Sequence, residues 1–190
     1  MFSLPNIVTL IRIFLIPMFV IVYYLPFAAA HRYAMYIFIF AAITDWLDGY
    51  LARRLNQFSH FGAFLDPVAD KLMVSVALLL LLADTKVHGL TWNLYAFVVT
   101  IIIIIGREIS MSALREWMAK VGKHESVAVS MTGKIKTTAQ MAAIPFLLYQ
   151  KPFWGLPMFH IGETLLYLAA LLTLWSMVSY LRSAWPNLTE

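Results

Sequence analysis

Ten acidic residues occur in 190, and four of them fall close together in otherwise apolar chain: Asp45, Asp48, Asp66 and Asp70. Carboxylates in so apolar a setting are costly to bury and usually do chemistry. Asp45 and Asp48 are spaced i, i+3, and Asp66 and Asp70 are spaced i, i+4, so each pair shares one helix face. The stretch Arg53–Phe61 joins the two segments as an antiparallel hairpin. With Arg53 and Gly62 at its membrane edges, Asp45 and Asp70 both lie about 12 Å in, and Asp48 and Asp66 roughly 6–8 Å in, at about 1.5 Å per residue. Four carboxylates facing each other at matched depths cannot all stay ionised without compensation. Either some are protonated or divalent cations sit among them. Oxygen donors at this density favour Mg²⁺ or Mn²⁺. Two ions would balance four carboxylates, and a two-metal site suits in-line displacement at phosphorus.

Small residues accompany the acids. Gly49 follows Asp48, Ala52 comes one turn later, and Gly62 lies one turn before Asp66. Glycine inside a helix costs about 1 kcal/mol relative to alanine. Close approach of a ligand or packing of a second helix would offset that cost. Interleaving with four aspartates favours the ligand.

The elements that hold these residues are helices in lipid. Apolar residues make up 62% of the chain and charged ones 13%, and there is no cysteine. This excludes a disordered chain, a disulfide-stapled module and a cysteine-ligated zinc or iron–sulfur protein. Six segments are each long enough to span, at roughly 20 residues apiece: Ile7–Leu25, Tyr33–Leu51, Ala63–Leu82, Trp92–Leu114, Ser130–Tyr149 and Phe159–Leu181. The expected fold is an all-α integral membrane protein, a bundle of six transmembrane helices in a single domain, 1–190, with a polar site open to the cytoplasm. A cleaved signal peptide is not expected, because Met1–Leu25 lacks a basic n-region and a small-residue cleavage site.

Lysine and arginine set the orientation. Eleven of the 14 fall at one set of ends: Arg12; Arg53 and Arg54; Lys71; Arg107, Arg115, Lys120, Lys123, Lys134 and Lys136; and Arg182. Only Arg32, Lys86 and Lys151 fall at the other. The positive-inside bias places the first set, and both termini, in the cytoplasm. The net charge of +4 suits contact with anionic lipid, and nothing points to nucleic acid. The five histidines show no ligand spacing. Glu163, near the outer end of the last span, is expected to meet either a dimer partner or water.

The pattern Asp45-x-x-Asp48-Gly49-x-x-Ala52-Arg53, eight residues, then Gly62-x-x-x-Asp66-x-x-x-Asp70 resembles the signature of the CDP-alcohol phosphatidyltransferases, with all eight specified positions present. The stretches Asn6-x-x-Thr9-x-x-Arg12, Gly106-Arg107-Glu108-Ile109, Ala113-Leu114-Arg115-Glu116-Trp117 and Gly133-Lys134-Ile135-Lys136-Thr137 most resemble members whose acceptor is sn-glycerol 3-phosphate. The resemblance implies transfer of a phosphatidyl group from CDP-diacylglycerol, with CMP leaving, by a homodimer of the bacterial inner membrane. It implies that Asp45, Asp48, Asp66 and Asp70 hold two divalent cations, that Asp70 is also the general base, and that Asn6, Thr9, Asp48, Gly49, Ala52, Arg53 and Gly62 contact CDP-diacylglycerol. Arg53 would reach a phosphate or pair with an aspartate; its other reading is an interfacial anchor.

Glycerol phosphate brings a dianion that requires guanidinium or ammonium donors. Arg107 follows the apolar run Ile101–Ile105. Pairing with Glu108 is expected to be poor, since neighbours i, i+1 do not face each other on a helix. Arg115, at i+8, either joins the same pocket or marks the interface. Lys134 and Lys136 point to different sides of a regular helix, so either one of them faces the pocket or the helix begins between them. Asn6, Thr9 and Arg12 form a polar stripe that is either a helix start or a cover over the nucleotide pyrophosphate. Three rivals stand beside this reading. They are the same chemistry with serine, inositol phosphate or phosphatidylglycerol as acceptor, a membrane prenyltransferase, and a divalent-cation transporter.

Overall fold

The computed structural model describes residues 4–55, 60–120 and 131–188, without side-chain surroundings for residues 4–6, 46, 48–55, 60, 61, 63, 115, 119, 131–135, 179, 180 and 183–188. Among the described residues the chain forms seven helices and no strand: α1 (Leu4–Tyr23), α2 (Ala30–Leu55), α3 (His60–Ala83), α4 (Thr85–Leu90), α5 (Leu94–Lys120), α6 (Met131–Tyr149) and α7 (Met158–Leu188). Each expected apolar segment coincides with one long helix. The short α4 is an addition. Asp84 starts it, its Oδ1 accepting the Lys86 amide at 2.9 Å and its carbonyl accepting the Val87 amide at 3.0 Å. An aspartate at an N-cap satisfies amide groups that the first turn leaves without partners. Asn93 does the same for α5, its Oδ1 accepting the Ala96 amide at 3.1 Å.

The helices fall into two compact units, Met1–Leu90 with Ile144–Phe159, and Thr91–Ala143 with His160–Glu190. In the first unit α1 packs on α2 and α3. Its interior combines Phe19 and Phe38, with ring centroids 6.4 Å apart, and the buried small residues Ala34, Ala41, Ala69 and Ala77. Small residues let helix backbones approach where lipid offers no hydrophobic drive between helices. A turn between α6 and α7 closes this unit: Phe153 and Leu156 exchange amide–carbonyl bonds around Trp154 and Gly155, both at positive φ.

In the second unit the buried face of α5 carries Phe97, Ile101, Ile104, Met111 and Met118, a helical spacing on which Arg107 also falls. Among the described residues two helices, Leu94–Met118 and Met158–Val178, are long and apolar enough to cross a membrane. Only 33% and 39% of their most apolar stretches are buried, unlike the core helix of a soluble protein. Large apolar side chains such as Ile102, Ile109, Leu171 and Trp175 stand exposed along them, a surface that suits hydrocarbon.

Candidate active site

Helix α1 supplies partners for the aspartates of its own unit. Thr9 and Arg12, one turn apart and each only 1% exposed, point from α1 to α3 and α2. Thr9 donates its hydroxyl to Asp66 Oδ1, and Arg12 Nη1 donates to Asp45 Oδ1 at 2.5 Å. The Asp66 charge bears on Asp45, so the two carboxylates share one electrostatic neighbourhood. Asp45 keeps 39% of its side chain exposed, enough for a ligand to reach it beside Arg12. Asp70 is half-buried one turn after Asp66, and Gly62 is buried one turn before it.

Thr9 and Arg12 sit inside α1, past its start at Leu4, and reach inward to the carboxylates. The compensation for the acids was framed as protonation or metal alone, whereas a guanidinium from another helix provides part of it. Arg12 is thus a site residue that the signature does not contain. Its sequence signal is a cation two turns into an apolar helix, in register with Thr9.

The oxygen donors fit a hard divalent cation: two carboxylates against one guanidinium leave negative charge uncompensated. Among the described residues no three acids or histidines stand close enough to share one ion. Asp48 lies outside the described side chains, as do Asn6, Gly49, Ala52, Arg53, Arg115 and Lys134.

The second unit holds a cluster of opposite sign. Lys136, 1% exposed, donates to Glu108 Oε1 at 2.8 Å. Arg107 Nη1 donates to the same oxygen at 3.0 Å, and its Nη2 donates to Ser176 Oγ at 3.4 Å. The expectation of a poor Arg107–Glu108 pairing is therefore wrong. Adjacent Cβ atoms diverge, but these two side chains are long enough to fold back onto one another. Glu108 is a second residue that sequence reasoning passed over. Arg107 Nε is buried with no hydrogen-bond partner among the described residues. A buried donor left so costs about 1–3 kcal/mol, which an anionic ligand would offset. Helix α6 starts at Met131, before both lysines, so the helix does not begin between them.

With the eight-position signature, the Thr9 and Arg12 contacts and the buried cation cluster in place, comparison decides the family. Residues 2–175 match the CDP-alcohol phosphatidyltransferase family. The chain belongs to it. Two relatives of this phosphatidyltransferase, from Salmonella typhimurium (strain LT2) and Escherichia coli (strain K12), are 50% and 49% identical to it over 189 residues, covering 100% of this chain and 98% of each relative. Both are named CDP-diacylglycerol–glycerol-3-phosphate 3-phosphatidyltransferase.

Glu163 has a different role from the one expected. It is fully buried and accepts from Thr91 Oγ1 at 2.5 Å, the Trp92 amide at 3.2 Å and Tyr167 Oη at 2.6 Å. The His160 ring stacks on Trp92, with centroids 4.9 Å apart and planes 3° from parallel. Instead of meeting water or a partner, the carboxylate ties the start of α5 to α7 within its own unit.

Proposed function

We propose that this phosphatidyltransferase moves the phosphatidyl group of CDP-diacylglycerol to sn-glycerol 3-phosphate, giving phosphatidylglycerophosphate and CMP. The observation that carries this reading is full-length 50% identity to relatives named for that reaction. The buried cations Arg107 and Lys136, brought together on Glu108, with Arg107 Nε lacking a hydrogen-bond partner among the described residues, support a phosphate-bearing acceptor. A neutral or zwitterionic acceptor would need less positive charge.

In the proposed mechanism Asp45, Asp48, Asp66 and Asp70 would hold two divalent cations, Mg²⁺ or Mn²⁺. When bound, these ions supply Lewis-acid stabilisation of negative charge on the pyrophosphate and leaving CMP. Arg12 and Thr9 hold the Asp45 and Asp66 carboxylates in place. Gly49, Ala52 and Gly62 leave room for the nucleotide and pyrophosphate, and Asn6, Asp48 and Arg53 contact CDP-diacylglycerol. Arg107, with Arg115, Lys134 and Lys136, binds the acceptor phosphate. Asp70 takes the proton of the acceptor hydroxyl as its oxygen attacks the phosphorus carrying diacylglycerol. The new P–O bond forms as the bond from that phosphorus to the CMP oxygen breaks.

The chain would act as a homodimer of a single catalytic domain in the bacterial inner membrane, crossing it six times with termini and site in the cytoplasm. The lysine and arginine asymmetry supports that orientation. The test is CMP release from CDP-diacylglycerol by purified protein in detergent, with Mg²⁺ or Mn²⁺ and each acceptor supplied separately. Release with glycerol 3-phosphate alone is expected. Release only with serine, inositol phosphate or phosphatidylglycerol would move the Arg107 cluster to another ligand. No release from folded protein would return the prenyltransferase and transporter readings.

A further inference from the structure

The first unit carries a second polar centre at the far end of its helices. Asp66 and Asp84 are separated by most of α3, roughly 27 Å at about 1.5 Å per residue. Around Asp84 lies a cavity of about 800 Å³ whose polar wall includes Tyr23, His31, Lys86, Gln150 and Lys151. Asp84 Oδ2 accepts from Tyr23 Oη at 3.0 Å and Gln150 Nε2 at 3.2 Å, and lies 3.5 Å from His31 Nε2. Gln150 reaches it from a backbone with φ of 55°, a conformation that non-glycine residues rarely adopt. Asp84 is thus engaged within the wall of the cavity.

The cations there are less well satisfied. Neither lysine ammonium has an ion-pair partner among the described residues, and both act electrostatically on His31. His31 Nδ1 is buried with no hydrogen-bond partner among the described residues. Two ammonium groups against one carboxylate leave positive charge lining the space.

Beside this cavity runs an apolar groove of about 510 Å³ with no polar lining, bounded by α1 and α2 and including Leu15, Met18, Tyr36 and Phe40. Leu25 and Phe27 line both spaces, so cavity and groove adjoin. Met18, Tyr36 and Phe40 are 42%, 56% and 52% exposed, an open apolar wall unsuited to water.

We propose that the two spaces form one site for an anionic phospholipid at the membrane face remote from the aspartates, with its phosphate on Lys86, Lys151 and His31 and an acyl chain in the Leu15–Phe40 groove. Charge complementarity and the continuity of a cationic cavity with an open apolar groove select this ligand. The site is distinct from the reaction centre and holds lipid as a ligand, with no bond made or broken.

The full chain, in phosphatidylcholine nanodiscs containing a little phosphatidylglycerol with a diazirine in its acyl chain, is irradiated and the adducts are mapped by mass spectrometry. Label is expected on the peptides bearing Leu15–Met18 and Tyr36–Phe40. It should fall on the order of tenfold in Lys86→Gln/Lys151→Gln and return in Lys86→Arg/Lys151→Arg, as two lysine contacts to an anionic headgroup imply. CMP release by each variant shows that it is folded. Equal labelling of the glutamine variant, or equal labelling by diazirine phosphatidylcholine, would leave only unspecific boundary lipid and overturn the proposal. Displacement of the label by millimolar inorganic phosphate would assign the cavity to the free anion and remove the groove from the site.

Discussion

The aspartate cluster of the first unit and the Arg107 cluster of the second are inverses in charge. In the first, two carboxylates, Asp45 and Asp66, meet one guanidinium, Arg12. In the second, the two cations Arg107 and Lys136 meet one carboxylate, Glu108. In the contacts described, each set is partly neutralised from within. Full neutralisation would make a structural ion pair with no reason to take a ligand. No neutralisation would cost several kcal/mol per buried ion. The intermediate state lets the protein fold and is what the proposed mechanism requires, with charge of one sign kept for a divalent cation and of the other for a phosphate.

The comparison fails first if Asp70 is dispensable. Asp70→Asn should lower the rate of CMP release by about 10²–10⁴-fold, the usual worth of a general base, while CDP-diacylglycerol binding stays measurable. Near-normal turnover would remove Asp70 as base. Arg107→Ala should raise KM for glycerol phosphate by roughly 10- to 100-fold, the worth of charge-assisted bonds, with less change for CDP-diacylglycerol. Equal effects on both substrates would place Arg107 elsewhere.

Two further variants test the charge arithmetic itself. Arg12→Gln increases the surplus on Asp45 and Asp66, so the divalent-cation concentration for half-maximal activity should fall a few-fold even as turnover drops. A rise would mean that Arg12 recruits the ion by geometry rather than opposing it by charge. Glu108→Gln should lower KM for glycerol phosphate modestly while destabilising the protein by about 1–3 kcal/mol, because buried Lys136 keeps an oxygen acceptor but loses the carboxylate charge; thermal unfolding in detergent reads the second effect.

The smallest effect concerns the remote polar centre. Burial pushes His31 below its ordinary 6.5, against the pull of Asp84. Although burial pushes Asp84 up, the Lys86 amide and the Gln150 and Tyr23 side chains outweigh it and hold the carboxyl below its ordinary 3.8. In both cases the unfolded chain takes up the proton first. Stability therefore falls as pH drops through 6.5 for His31, and falls again below 3.8 for Asp84. Asp84→Asn should flatten the lower limb of a Tm-versus-pH curve and leave CMP release unchanged at neutral pH.

The helices are legible because they are written in local spacing, and the same spacing singles out the aspartates as candidates. A run of apolar residues needs no partner to declare itself, and Asp45, Asp48, Asp66 and Asp70 declare themselves by their cost. Arg12 counts toward topology and toward a polar stripe with Asn6 and Thr9, and its pairing is not legible because it depends on Asp45 arriving from another helix. Glu108 was discounted by a rule about Cβ directions that ignores the length of arginine and glutamate side chains. A finer signal was available: Ile101, Ile104 and Met111 mark a buried face on which Arg107 falls, and a buried arginine requires an acceptor nearby. Glu163 fits the same pattern with Leu166, Ala170 and Thr173.

The enclosure of Glu163 bears on how the chain enters its membrane during synthesis. A carboxylate delivered to hydrocarbon on a helix by itself costs a few kcal/mol on insertion scales. Its donors Thr91 and Trp92 precede it in the chain, at the start of α5, and so leave the ribosome first. Helix α7 then docks onto donors already made, and replacing Thr91 would deliver the same glutamate with one donor fewer. Tyr167, one turn further along α7, arrives with the glutamate as its third donor, so two of the three bonds wait for it and the last travels with it.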